Sequence, residues 1–231
     1  MRIIPHLEPR DAKLAAHFHT IAIDHRGWGD SDAPADGYAL ADLAADAEGV
    51  IRELSLTFYV LVGHSTCGEV AQLMALRRPA GLAGLVLVAP SPPQPMTMPA
   101  EAREIISRET VEATIDNVAT AKSLSAEDRE QVITDSLRGA LPANIAWPRA
   151  TSLEDITAHV GAIDAPVIVI AGELDRVDSL GLLKSELLSR VPQGVMYKLP
   201  GTGHLSMLES PDALALLIQD FCRSLQCDGS G

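Results

Sequence analysis

One stretch constrains this chain more than any other: Tyr59-Val60-Leu61-Val62-Gly63-His64-Ser65-Thr66-Cys67-Gly68. Its apolar start reads as a strand, and Val70, Ala71, Leu73, Met74 and Leu76 follow at helical spacing. Ser65 therefore stands at the apex of a sharp strand-to-helix turn. Gly63 and Cys67 are small residues two positions to either side, with Gly68 just beyond; they let the backbone fold tightly and the helix approach the strand. Such a turn lifts the serine hydroxyl above the sheet. The first amides of the helix, and its dipole, then face any negative charge that develops on a bound oxygen. A small-x-Ser-x-small pattern alone is weak evidence, because serine and glycine are common turn residues. Its place between a strand and a helix gives it weight.

The same alternation runs through most of the chain. A helix or helix pair in the first eighteen residues is followed by Thr20-Ile21-Ala22-Ile23, which reads as a short strand. The Gly-rich loop 24–32 comes next, and Asp24 and Arg26 can tie it down by hydrogen bonds. Leu40, Leu43, Ala44, Ala47, Val50, Ile51 and Leu54 predict an amphipathic helix over 38–54. Residues 85–89 and 166–171 are apolar strands, the second running into Gly172-Glu173-Leu174-Asp175. A helix covers 179–190, and 195–199 is a last strand leading to Pro200-Gly201-Thr202-Gly203-His204. A closing helix over 211–225 precedes a disordered tail, 227–231. Strands alternating with helices imply an α/β fold: a mostly parallel sheet covered by helices on both faces.

Residues 94–155 break the pattern. They hold Pro95, Pro99, Pro142 and Pro148 and two polar helical stretches, 100–121 and 126–140, with no evident strand. The expectation is a helical lid inserted into a core made of residues 1–93 and 156–226. Lids shape substrate choice and exclude water. Met96, Met98, Leu141, Ile145 and Trp147 either line an apolar substrate pocket beneath the lid or form its own core.

At 231 residues, 47% of them hydrophobic, the chain can bury one sizeable core. No run approaches the ~18 uncharged apolar residues of a membrane span. The start Met1-Arg2-Ile3-Ile4-Pro5-His6 lacks the apolar core of a secretory signal. A net charge of −13 argues against nucleic acid and anionic membranes as partners. Cys67, Cys222 and Cys227 are odd in number and make no metal spacing. They predict a reduced, cytoplasmic protein without a disulfide framework, and no metal or cofactor is expected.

In parallel sheets the functional groups gather on loops leaving the carboxyl ends of strands. Ser65, Asp175 and His204 each follow a different strand there. The chemistry of nucleophilic catalysis needs this trio. A serine hydroxyl is too weak an acid to attack unaided, an imidazole must take and return its proton, and a carboxylate must fix the imidazole tautomer. Taken singly, Ser65 reads as a turn residue, Asp175 as a helix cap with Asp178 as a rival acid, and His204 as a loop histidine. Taken together they stand in the order Ser, Asp, His expected for this architecture. His64 is assigned to structure, its side chain pointing away from the substrate, and Cys67 to packing.

From residue 20 to about 225 the chain resembles the α/β-hydrolase fold superfamily. The resemblance is carried by Asp24-His25-Arg26-Gly27-Trp28-Gly29-Asp30-Ser31-Asp32, Gly63-His64-Ser65-Thr66-Cys67-Gly68, Gly172-Glu173-Leu174-Asp175 and Gly203-His204-Leu205-Ser206-Met207-Leu208-Glu209-Ser210-Pro211. It implies a nucleophile at Ser65, an acid at Asp175, a general base at His204 and an oxyanion donor in the backbone amide of Thr66. Serine rather than aspartate at the elbow favours esterases and lactonases over dehalogenases and epoxide hydrolases. Cys67 stands where the family usually has glycine. Family members also carry further strands upstream, one of them central in the sheet and ending in an apolar-His-Gly loop that supplies a second oxyanion donor. Met1-Arg2-Ile3-Ile4-Pro5-His6-Leu7 resembles the helix after those strands, so about thirty residues of the pattern are missing here. Loss of a central strand leaves buried backbone groups unpaired at about 1–3 kcal/mol each. The sheet so exposed is a surface through which two copies could form a homodimer.

The leading expectation is a serine hydrolase that cleaves a small neutral or hydrophobic carboxylic ester or lactone through an acyl-enzyme. The same triad fits a perhydrolase or cofactor-free haloperoxidase, in which peroxide replaces water. A third reading is a truncated, non-catalytic hydrolase fold that only binds a ligand or partner.

Overall fold

Four apolar runs become strands: β1 (Tyr59–Ser65), β2 (Leu82–Pro90), β3 (Val167–Gly172) and β4 (Val195–Leu199). The computed structural model describes residues 13–97, 103 and 107–228, with side chains to residue 225. Among these residues the strands form one parallel sheet in the order β1-β2-β3-β4. β2 begins at Leu82, ahead of the expected 85. β3 is buried along its whole length and β2 from Leu85 onward, as befits inner strands with helices on both faces.

The helices are α1 (Leu40–Glu53), α2 (Thr66–Leu76), α3 (Arg108–Thr114), α4 (Ala126–Leu137), α5 (Leu141–Arg149), α6 (Leu180–Leu182), α7 (Ser206–Glu209) and α8 (Pro211–Asp228). The period-two alternation of β2 divides the core. Leu85 and Leu87 pack with Val169 against Leu40, Leu43, Val70 and Met74 of α1 and α2. Val86 and Val88 face the other way, with Ile168 and Ile170, against Leu214 and Ile218 of α8. Burying each such side chain contributes about 1.5–3 kcal/mol.

Thr20-Ile21-Ala22-Ile23 is not a strand. It pairs with no neighbour among the described residues, and Ile21 is 41% exposed while Ile23 packs on the core. An apolar run becomes a strand only where a ladder partner exists, and the outer edge of β1 is unpaired among the described residues. Phe58 and Val62 are exposed there. The loop that follows is tied down as expected. Arg26 donates to both carboxylate oxygens of Asp46 at 2.6 Å and to Gly37 O at 2.9 Å, while Asp24 accepts from Asp30 N and Ser31 Oγ. Of the expected first helix, residues 13–15 form a helical turn and 1–12 lie outside the described residues.

Among the described residues, the segment between β2 and β3 carries helices and no strand. Ser107 caps α3 by accepting from Thr110 N, and α3 continues as a π-helical turn, Ile115–Ala119. α5 lies outside the two expected helical stretches and takes in both Pro142 and Pro148. Pro142 sits in the first turn, where no N–H is needed, and Pro148 in the last, one residue before the helix ends. After β3, α6 likewise passes into a π-helical turn, Leu183–Leu188. The last helix runs to Asp228, so residues 227 and 228 are helical rather than tail, and 229–231 lie outside the described residues.

α2 crosses β1 at glycine distance. A Cβ on Gly63 would run into the Cys67 carbonyl, and one on Gly68 would stand 2.6 Å from Pro90 Cβ. Gly63→Ala is expected to lower stability by about 1–3 kcal/mol, the usual cost of overpacking. A urea midpoint equal to that of the wild type would show that the crossing is looser than described.

Candidate active site

Ser65 ends β1 with φ 52° and ψ −128°, a left-handed backbone that a side chain disfavours. The turn is held from both sides. Ser91 N donates to Ser65 O at 3.0 Å, and α2 begins at the next residue. Thr66 is the first residue of that helix, so its N–H has no carbonyl partner within it.

Asp175 and His204 follow β3 and β4, and both are buried. Asp175 Oδ1 accepts from Val177 N at 2.8 Å and Asp178 N at 3.0 Å, which locks the carboxylate in a tight turn. Its Oδ2 lies 2.9 Å from His204 Nδ1. A nitrogen facing a carboxylate carries the proton, so Nε2 is left with its lone pair. Asp178, the rival by sequence, gives Asp175 its backbone N–H; its own Oδ2 is buried without a hydrogen-bond partner. Among the described residues no hydrogen bond joins Ser65 Oγ to His204. Such bonds are often long in the absence of substrate. The two loops meet through His64, whose Nε2 donates to His204 O at 3.0 Å and whose ring centroid lies 4.7 Å from that of His204.

Several buried titratable groups, some of them beside this centre, are displaced from their ordinary range. Burial, with His204 beside it, pushes His64 down to about 3. Burial lowers His25 to about 3 as well. Burial, offset by His204 and reinforced by Asp175, raises Asp178 to about 7. Glu69 on α2 rises to about 8, again through burial first and then the charges of Glu154, Asp178 and Asp155.

The expected pocket residues separate. Trp147 on α5 donates from Nε1 to Thr66 Oγ1 at 2.9 Å, so the helical segment touches the elbow itself. Leu141 and Ile145 line a cavity of about 690 Å³ with Tyr38, Ala146 and Glu154, and neither Ser65, Asp175 nor His204 borders it. Met96 anchors its loop through Ser152 O and Arg103, and Met98 lies outside the described residues. Among the described residues no group of three His, Cys, Asp or Glu side chains is placed to hold a metal, and no helix is long and apolar enough to cross a membrane. Glu209, which lies in the segment 203–211 that carries the resemblance but has no assigned role there, accepts from the backbone of the turn that carries His204.

Residues 3–215 match the model of the Alpha/beta hydrolase family. The chain is 29% identical over 232 residues to 2-(acetamidomethylene)succinate hydrolase of Mesorhizobium japonicum, covering 93% of this chain and 82% of that one. It is 30% identical over 185 residues to a non-heme chloroperoxidase of Streptomyces lividans, covering 71% and 67%. An esterase from Exiguobacterium antarcticum superimposes with a TM-score of 0.80 at 21% identity, over 94% of this chain and 86% of that one; this likeness concerns the fold.

The displaced groups predict a shape for stability against pH. Glu69 and Asp178 hold their protons in the folded state up to about 8 and about 7, well above their ordinary 4.5 and 3.8, so unfolding releases protons in that range and stability falls as pH rises through it. His25 and His64 stay neutral when folded down to about 3 but charge below 6.5 when unfolded, so stability falls as pH drops through that window. The two trends oppose each other between about pH 4.5 and 6.5 and leave a plateau there. Urea midpoints measured from pH 4 to 9 are expected to decline above 6.5; a rise between 6.5 and 8 would contradict the protonated burial of Glu69 and Asp178.

Proposed function

The chain belongs to the alpha/beta hydrolase family, and from that premise we propose that it is a serine hydrolase cleaving a carboxylic ester or lactone through an acyl-enzyme. The observation that supports this most is the buried Asp175–His204 pair at 2.9 Å, set on the loops after β3 and β4 of the sheet whose β1 ends in the strained Ser65 turn. In this reading Ser65 Oγ attacks the carbonyl carbon while His204 Nε2 takes its proton. Asp175 holds the imidazole in the needed tautomer and offsets its charge. The Thr66 N–H donates to the oxyanion. Nε2 then protonates the departing alkoxide; a water, deprotonated by the same nitrogen, attacks the acyl carbon, and Nε2 returns that proton to Ser65 Oγ as the acid leaves. The helical segment over 94–155 serves as the lid, with Trp147 at the elbow and a small neutral or hydrophobic substrate beneath it.

The similarity to a non-heme chloroperoxidase favours a second outcome at the same centre. Peroxide in place of water would convert the acyl-enzyme to a peracid. Added hydrogen peroxide with acetate separates the two readings through the oxidation of a halide dye substrate.

The test is turnover of p-nitrophenyl butyrate together with labelling by a fluorophosphonate probe. Ser65→Ala is expected to abolish labelling and to lower turnover roughly 10⁴- to 10⁶-fold, and Asp175→Asn roughly 10⁴-fold. Full activity in Ser65→Ala would overturn the mechanism. Folded wild-type protein with neither labelling nor turnover would favour a binding protein.

A further inference from the structure

We propose that Glu209 is a positioning residue: its single carboxylate fastens the turn that carries His204 to the helical segment between β2 and β3, so the base keeps its place only while that segment is seated. This rests on the reading of His204 as the base. The turn 200–204 has no ladder of its own, and its amides need acceptors. Glu209, at the end of α7, reaches back to the Gly203 N–H with Oε1 at 3.1 Å and Oε2 at 3.2 Å. The same Oε2 accepts from Ala121 N at 2.9 Å and Lys122 N at 3.1 Å, both in the helical segment. Lys122 Nζ returns to the Glu209 carbonyl at 3.4 Å. One anion thus gathers three backbone donors from two parts of the chain, in bonds stronger than their neutral counterparts.

The join is built from more than this carboxylate. Ala119 O accepts from His204 N at 2.9 Å and from Leu205 N at 3.2 Å, so the backbone of the base itself hangs on the helical segment. Ala119, Leu205 and Leu208 form an apolar cluster apart from the two sheet cores, with Leu124, Val132 and Met207 packed on it. On the acid's side, Arg176 donates to Asn117 O at 3.1 Å. The approach requires a glycine at 203, where a Cβ would stand 2.7 Å from Ala121 N, 2.8 Å from Glu209 Oε1 and 3.0 Å from Ala119 O. Asp175 fixes the His204 ring; Glu209 and Ala119 fix the backbone that carries the ring. A lid seated here does more than cover a substrate, because lifting it would free the base.

A carboxamide cannot replace the carboxylate: glutamine offers one acceptor oxygen and turns an NH₂ group towards backbone N–H donors. Glu209→Gln is therefore expected to lower kcat for p-nitrophenyl butyrate, and the rate of fluorophosphonate labelling, about 10- to 100-fold, the scale of a base misplaced by about 1 Å. KM is expected to change less than about twofold, and the Gly203, Ala121 and Lys122 amides to exchange with deuterium faster. All assays are run where circular dichroism shows the variant fully folded, a control that a loss of stability alone would not survive. Gly203→Ala provides a second route, prising the segment off with the carboxylate intact, and should show the same fall in kcat. A folded Glu209→Gln with wild-type kcat and labelling would overturn the positioning role. Unchanged exchange at Ala121 and Lys122 would overturn the join itself, whatever the activity. Absence of labelling in the wild type would instead remove the hydrolase reading and leave the exchange result to decide the join.

Discussion

A side chain in a left-handed backbone conformation costs on the order of 1–3 kcal/mol and persists only where its surroundings over-determine it. At Ser65 the surroundings do so from three directions. Gly63 lets α2 cross β1 at backbone contact, the Ser91 amide grips the Ser65 carbonyl, and His64 is moored to the His204 carbonyl. The glycine belongs to the turn itself, whereas the other two restraints come from distant parts of the chain. Each depends on parallel strands ending at the same level, which in turn depends on β2 and β3 being apolar enough to lie buried between helices on both faces. The sheet core is thus the support for one unfavourable dihedral angle, and the chemistry inferred for the protein sits on that angle.

The buried ionisable groups show how surroundings divide labour among identical side chains. Asp175 has donors on both oxygens, from two backbone amides and an imidazole. Three residues away, Asp178 has a sealed oxygen with no partner, and burial favours its neutral form. Burial likewise favours the neutral form of Glu69 on α2. Separating carboxyls by their hydrogen-bond supply is how a single fold gives acids different roles.

How legible this was in the sequence depended on how local the cause was. The elbow could be read because its requirements, small residues at fixed offsets between a strand and a helix, lie within ten positions. The core strands could be read because burial on both faces leaves an apolar run. Thr20-Ile21-Ala22-Ile23 has a strand's composition but no pairing partner among the described residues, and pairing is not a property of four residues. α5 was hidden because proline is a break in mid-helix yet harmless in a first turn, and the sequence does not say which turn Pro142 occupies. Asp175 and Asp178 could not be ranked by pattern, since only the direction of a side chain separates them. Glu209 stands in the segment 203–211 that carries the resemblance, but its role is not legible there: the Ala121 and Lys122 amides it binds lie 88 and 87 positions away.

The π-helical turn Ile115–Ala119 bears on how such a chain can change length. A π turn holds one residue more than the α turn it replaces. Deleting one residue there would let the turn close as an α turn that sweeps nearly the same angle with one residue fewer. The Ala119 carbonyl, which accepts from His204 N, would keep its direction. Most surface connections absorb insertions and deletions freely; here a packed helical segment could do so by a single residue, so descendants of the sequence would be expected to differ by one residue within this turn and still keep the join.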